Sequence, residues 1–216
     1  MRIGTWNLAG RWSTQHRTLM LSESCDIWLL TEVPRGLDLD GFHQHRSKES
    51  IVAERRWAAV LSKAWLTPEN DPHPASCAAT VEGITFCSSV LPWRSARPRR
   101  PWVQGKHAEK TRSALVSIEL DLAGKPDVVW GGDWNHSLTG PETAGSLQGR
   151  LYLAATLERL QLQVPTSDLP HRLPGISSID HIAVSRDLPK PKARWVPAEA
   201  HGRRLSDHDA YVVELP

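Results

Sequence analysis

The chain has 216 residues, 40% of them apolar and 23% charged, with a formal net charge of +2. Those proportions belong to soluble globular proteins and exclude the disordered, collagen-like and coiled-coil classes. No apolar run approaches the ~18 residues that a membrane-spanning helix needs. The unusual entry is tryptophan, at 10 residues against 2 Phe and 2 Tyr.

Arg2 to Asn7 reads as a short strand, and Thr14 to Ser24 as a helix behind a cap at Ser13. Asp26 to Glu32 (DIWLLTE) is apolar throughout, as a strand buried on both faces is, so its terminal acid is expected at the rim of a sheet. Trp57 to Trp65, Ser76 to Val81 and Ile84 to Leu91 are β-like, the last two joined as a hairpin at Glu82-Gly83. The basic, proline-broken segment Pro92 to Gly105 reads as a loop. Glu109 to Ala123 follows as a helix stopped by Gly124-Lys125-Pro126, then Asp127 to Gly132 as a buried strand with a glycine-rich end. Leu147 to Leu162 reads as an amphipathic helix whose apolar positions are Leu151, Ala154, Ala155, Leu157, Leu160 and Leu162. Ile179 to Ser185 and Ala210 to Leu215 close the chain as strands, separated by a connection rich in Pro, Lys and Arg. No repeat or linker breaks this order, so residues 1–216 are expected to form one domain. Alternating strands and helices with antiparallel hairpins imply an α/β (α+β) fold built on mixed sheets.

The small net charge hides an uneven distribution. From Arg94 to Arg112 there are seven basic residues against Glu109 alone, and from Arg186 to Arg204 six against Asp187 and Glu199. Two basic segments on an otherwise acidic body suggest a polyanion-binding face; solvated loops are the alternative. Cys25, Cys77 and Cys87 make an odd count without CxxC or Cys/His metal spacing, so buried free thiols in a cytoplasmic protein are expected, with Cys77 facing Cys87 across the hairpin as the alternative. Met1-Arg2 runs straight into a strand, with no export signal.

Polar residues recur at the ends of the predicted strands: Asn7, Glu32, Asp133 with Asn135, Asp180 with His181, and Asp207 with His208. Any one of these reads equally as a cap or turn residue. Their repetition in register with strands points to a site at one sheet rim, where strand ends converge. Glu, Asp and Asn oxygens without cysteine suit Mg²⁺ or Mn²⁺ rather than zinc. His181 alternates to the face opposite Asp180 and is expected in the core. His136 is open between a substrate contact and a turn residue. His43 and His45 share a strand face and could bind a metal, but without an acid partner they read as surface residues.

Five segments, RIGTWNLAG, IWLLTEV, VVWGGDWNHSL, SSIDHIAVS and LSDHDAYVVEL, occur in this order over residues 3 to 215. Together they resemble the endonuclease/exonuclease/phosphatase superfamily with the DNase I-like fold. The resemblance implies a four-layer sandwich, two β-sheets packed face to face with helices outside, and an active site at one edge. It implies Glu32 as principal metal ligand, Asn7 beside it and Asp207 close to the metal, which would be Mg²⁺ with Mn²⁺ as substitute. Asp133 and Asn135 would orient the attacking water and the scissile phosphate. His208 would touch a phosphate oxygen or act as acid or base, oriented by Asp180; the division of labour between His208 and Asp133 stays open.

Relatives place Tyr or His at the end of a middle strand to hold phosphate, and Ser88-Ser89-Val90-Leu91-Pro92-Trp93 has neither. Arg94 or His107 is the expected substitute, with Arg100 adding a phosphate contact and Trp93 and Trp102 stacking on bases. Trp6, Trp130 and Trp134 are expected behind the site residues, and Trp28, Trp57 and Trp65 between the sheets. The implied function is a Mg²⁺-dependent phosphodiesterase, foremost a monomeric nuclease cutting DNA or RNA with low sequence specificity. Hydrolysis of inositol or lipid phosphates and a silent polyanion-binding module are the alternatives.

Overall fold

The computed structural model describes residues 1–188 and 191–216. The first half of the chain runs β1 (Arg2–Asn7), α1 (Thr14–Ser22), β2 (Ile27–Pro34), β3 (His43–Arg46), β4 (Ser50–Val52), β5 (Arg55–Ser62), β6 (Thr67–Pro68), β7 (Ser76–Val81) and β8 (Ile84–Ser89). The second half adds α2 (His107–Leu122), β9 (Val128–Asp133), α3 (Leu147–Arg159), β10 (Leu162–Gln163), β11 (Asp180–Ser185), β12 (Lys192–Val196), β13 (Glu199–Ala200), β14 (Arg203–Arg204) and β15 (Ala210–Glu214).

Two mixed sheets form. One has the order β12-β15-β1-β2-β5-β3, with β4 also on β5, and its parallel pair is β1 with β2. The other has the order β10-β11-β9-β8-β7-β6, and its parallel pair is β8 with β9. Side chains alternate across a strand, so each sheet supplies two apolar faces and three buried layers result. Ile3, Leu29 and Val213 of the first sheet meet Phe86, Val129 and Ile182 of the second in the central layer. Trp6, Trp28 and Leu30 pack outward with Met20 of α1. Trp130, Cys87 and Ala183 pack outward on the other side against Leu115 and Ile118 of α2 and Leu153 of α3. The order is thus helix, sheet, sheet, helices, the expected four-layer arrangement. Each fully buried Leu, Ile or Val contributes ~1.5–3 kcal/mol.

Several sequence expectations need correction. The tryptophans assigned to the space between the sheets are elsewhere: Trp28 lies on the α1 side, Trp57 joins the α2–α3 side, and Trp65 is 74% exposed, edge-on to His43. The ~10 Å between the sheets is already filled by Ile3, Leu29, Val60, Phe86, Val129 and Ile182. Beneath α1, Gly4 makes room for Trp28, since a Cβ there would lie 2.4 Å from the Trp28 ring. Helix α3 ends at Arg159 and turns Leu153 and Leu157 inward while Leu151 stays exposed, because Leu151 lies ~200° round the helix from the buried Leu153. The connection before the last strand contains β12, which pairs along β15. Cys77 opposes Ser88 rather than Cys87, and the three cysteines are free and buried. Lys190, one of the six basic residues counted after Arg186, lies outside the described residues.

Candidate active site

The central layer is mostly apolar, Thr5 being satisfied by the Leu29 carbonyl, until its strands reach one rim, where Asn7, Asp133 and Asp180 take over the same inward positions. Asn7 continues the alternation of Ile3 and Thr5. Asp180 pairs directly with Asp133 across β11 and β9, so both carboxylates leave the same face. Glu32 joins them through a local irregularity. Leu30 and Val33, three apart, face the same α1-side cluster, so alternation slips by one residue at Glu32, whose φ is +50°. Left-handed backbone is unfavourable for a residue with a Cβ, and such strain persists where surrounding structure enforces it. Gly132 turns the end of β9 at φ +125°, and a Cβ there would lie 2.2 Å from the Ser89 carbonyl oxygen.

One connected chain of polar groups results. His208 donates its Nδ1–H to Asp180 Oδ2 at 2.7 Å, and its Nε2 lies 3.9 Å from Asp133 Oδ2. Asn7 Nδ2 donates to Asp133 Oδ2 at 2.9 Å and to Glu32 Oε1 at 3.4 Å, while Asn7 Oδ1 accepts from the Ala9 amide. The backbone N–H of Asn135 donates to Asp133 Oδ1, and its side-chain amide donates to the Leu91 carbonyl. Ser206 ties the segment before β15 to β1, donating to Asn7 O and accepting from the His208 amide. The Trp6 indole donates to His208 O at 3.2 Å. The Trp130 and Trp134 rings lie 4.4 Å apart, tilted by 37°, and are fully buried on the α2–α3 side of the second sheet.

Burial and neighbouring charges set the proton affinities. Desolvation raises the Asp133 pKa to about 7, with Asp180 adding to the rise and His208 and Asn7 opposing it. Burial alone would depress His208, but Asp180, Asp133 and Asp207 override it and raise its pKa to about 10. Glu32 is raised mainly by desolvation, against the pull of Arg55. Asp207 is exposed and accepts from Ser206 Oγ. Glu32, Asn7 and Asp207 offer hard oxygens. Asp180 Oδ1 is buried without a hydrogen-bond partner among the described residues, and Asp133, Asp180 and His208 present ligating atoms within 4.8 Å of one another. Glu32 and the neighbouring carboxylates of Asp133 and Asp180 make a carboxylate-dense rim whose hard oxygens suit a divalent cation, with Asn7 turning Nδ2 toward Glu32 and Asp133 and Oδ1 toward the Ala9 amide.

Around this rim the structure separates the expected substrate contacts. Trp93 is 37% exposed, but Trp102 is only 6% exposed, stacked on His73 and edge-on to Trp57, so it is a core residue rather than a stacking surface. His107 is not a free phosphate clamp either: its Nε2–H donates to Pro92 O and its Nδ1 accepts from Ser146, joining α2 to α3. Arg94 donates through Nε to Gly145 O and through Nη2 to Glu142 O, leaving Nη1 without a hydrogen bond among the described residues. Arg100 pairs with Glu49 at 2.7 Å, whereas the exposed Arg97 and Arg99 carry no ion pair among the described residues. In the second basic segment Arg186 pairs with Glu158, Arg194 with Glu23 and Arg204 with Asp209, while Lys192 and Arg203 carry no ion pair among the described residues. His136 is fully buried and lies in the turn after β9; His181 is fully buried in the core.

Sequence reading missed Arg55, whose Nη1 donates to Glu32 Oε2 at 2.6 Å. It also missed the basic cleft in which Arg55 sits with Arg35, Arg46, Lys48 and Arg56. The ERRW sequence carries that charge, but only the pairing of Pro34 with Arg55 brings it to Glu32.

A two-sheet sandwich with a carboxylate–imidazole–carboxylate chain and clustered carboxylates at one rim is the arrangement of a metal-assisted hydrolase of phosphoric esters. The Endonuclease/Exonuclease/phosphatase family model matches residues 4–208, and the chain belongs to that family. Solved structures share the fold at low identity. A 3′-phosphatase from Neisseria bound to a product DNA hairpin gives a TM-score of 0.73 at 18% identity, covering 100% of this chain and 99% of that one. An AP endonuclease from Archaeoglobus fulgidus gives 0.71 at 16%, covering 100% and 99%. The catalytic domain of human Nocturnin with bound sulfate gives 0.67 at 15%, covering 100% and 93%. No curated protein matches the sequence. Among the described residues no helix is long and apolar enough to cross a membrane.

Proposed function

We propose that residues 1–216 act as one catalytic domain, a monomeric Mg²⁺-dependent nuclease that hydrolyses DNA phosphodiester bonds with low sequence specificity, Mn²⁺ being able to substitute. The observation that carries this reading is the Asp180–His208–Asp133–Asn7–Glu32 chain, together with exposed Trp93, Arg97 and Arg99 on the loop that follows Leu91. Leu91 brings that loop to the site, because its N–H donates to Asp133 O and its carbonyl accepts from Asn135. Repeating phosphates and stacked bases match such a surface. The product DNA hairpin bound by the Neisseria neighbour supports DNA as the polymer. Three buried free thiols accord with a reducing, cytoplasmic setting.

Held by Glu32, Asn7 and Asp207, Mg²⁺ would neutralise phosphate charge and stabilise the leaving oxygen. Asp133 has the proton affinity to take a proton from water near neutral pH, and Asn7 and the Asn135 amide fix its carboxylate. His208 is an imidazolium at that pH, so it acts as a cationic donor to a phosphate oxygen or as the acid, with Asp180 fixing its ring. Arg94, through Nη1, is the remaining phosphate clamp, and Arg97 and Arg99, rather than the Glu49-paired Arg100, add charge along the polymer.

The test is a panel of supercoiled DNA, single-stranded DNA, RNA, an abasic duplex and inositol phosphates, each with Mg²⁺, Mn²⁺ or EDTA. Nicking of plasmid with Mg²⁺, abolished by EDTA and by Glu32→Ala, is expected. Release of inorganic phosphate from inositol phosphates without DNA cleavage overturns the assignment. Cleavage of the abasic duplex far faster than an intact duplex at equal salt overturns the low specificity.

A further inference from the structure

A second group of ligating side chains lies outside the nuclease site, where the edge of the first sheet meets the second. His45 on β3, Asp71 between β6 and β7, and Cys77 on β7 present one donor atom each, all within 4.8 Å of one another. His45 Nε2 and Asp71 Oδ1 face each other at 3.9 Å. Both atoms are buried and neither has a hydrogen-bond partner among the described residues. An imidazole–carboxylate hydrogen bond would close to ~2.7–2.9 Å, and an orphaned buried donor and acceptor cost stability. The Asp71 side chain is only 8% exposed, and Cys77 is fully buried.

We propose that His45, Asp71 and Cys77 form a structural site for a zinc-like divalent cation that clips the two sheets together. Imidazole, carboxylate and thiolate together select a borderline-soft metal over Mg²⁺. Tetrahedral bonds of ~2.0–2.1 Å to nitrogen and oxygen place those ligands ~3.3–3.4 Å apart. The observed 3.9 Å therefore closes by a shift of about half an ångström. The other carboxylate oxygen of Asp71 is already fixed by the Lys48 amide at 2.7 Å, an outer contact of the kind that orients metal ligands. The Cys77 thiol donates to His45 O at 3.2 Å; on binding, its S–H bond breaks, the proton goes to solvent, and the sulfur–metal bond replaces that contact. One thiolate and one carboxylate then neutralise the dication, so no net charge stays buried. His45 keeps 17% of its side chain exposed at the sheet edge, and water would complete the tetrahedron.

The full chain, stripped with chelator and held in excess Mg²⁺ to saturate the oxygen-donor site, is titrated with Co²⁺ and then Zn²⁺. One equivalent of cobalt with a thiolate-to-cobalt charge-transfer band, displaced by zinc, is expected, together with a zinc-dependent rise in Tm. Cys77→Ser abolishes the band, and His45→Gln and Asp71→Asn each weaken zinc binding by at least ~100-fold. His45→Gln alters a partly exposed edge-strand residue and serves if Cys77→Ser does not fold. Absence of the band in the parent protein, or zinc binding unchanged in His45→Gln and Asp71→Asn, overturns the site.

Discussion

His208 lies between two buried carboxylates, and that placement decides its charge. Asp180 at 2.7 Å and Asp133 at 3.9 Å keep the ring protonated. His208→Ala is therefore expected to lower turnover by ~10²-fold or more while Mg²⁺ affinity changes little. Asp180→Asn keeps the shape but removes the charge that holds the imidazolium, and a comparable loss follows. Turnover at saturating DNA, with metal affinity from calorimetry, checks both; full activity in either variant removes His208 from the mechanism. The tryptophans give a second contrast. Trp102→Ala should cost ~3 kcal/mol or more of stability, because it empties a core position between Trp57 and His73. Trp93→Ala should leave the unfolding midpoint nearly unchanged and weaken DNA binding. Denaturant unfolding and DNA titration of the two variants separate these roles. Sequence order alone could not distinguish Trp93 from Trp102, since both sit in one basic loop and only packing buries one. Asn7, Asp133 and Asp180 were legible for the opposite reason: each interrupts an apolar alternation at a strand end.

At the scale of elements, the strand ends hold the site in place. Gly132 bends the end of β9 against Ser89, and its φ of +125° suits glycine alone. Gly132→Ala is expected to cost at least ~2 kcal/mol, since a Cβ would strike backbone that cannot rotate away. Asp133 follows directly, and a displacement of ~1 Å at a reacting group lowers rates by ~10²-fold. Melting and turnover of this variant should fall together; a stable, fully active variant shows that the bend is dispensable. The apolar strands β2, β8 and β9 were readable from sequence because their pattern is strong. The edge strands β4 and β12 were not, since they are short and polar and take their conformation from pairing with β5 and β15. His43 and His45 were read on one strand face, but Asp71 meets His45 only once β3 pairs along β5 and lies against β7.

Over the whole molecule, acid stability follows from histidines buried as neutral rings. His181 donates Nε2–H to the His136 carbonyl, and burial lowers its pKa to about 4; burial lowers His73 likewise to about 4. An unfolded chain binds these protons near pH 6.5, well before the folded one does. The stability they allow is present above pH 6.5 and is lost as pH falls towards 4, because the unfolded state gains protons first. Asp133 acts in the opposite sense, since its raised pKa lets the folded state bind a proton in much of the same window. His208, raised to about 10, binds its proton in both states below pH 6.5 and adds no slope there. The net profile therefore mixes signs, and a difference between variants isolates one group. His181→Gln retains an N–H donor for the His136 carbonyl but cannot titrate. Between pH 6.5 and 4 the parent protein should lose ~3 kcal/mol more than this variant, from the shift of a single buried imidazole. Urea unfolding of both proteins across that range measures the difference directly. Parallel stability curves would mean that His181 takes up its proton as readily folded as unfolded, and that the core around Trp134 admits a charge.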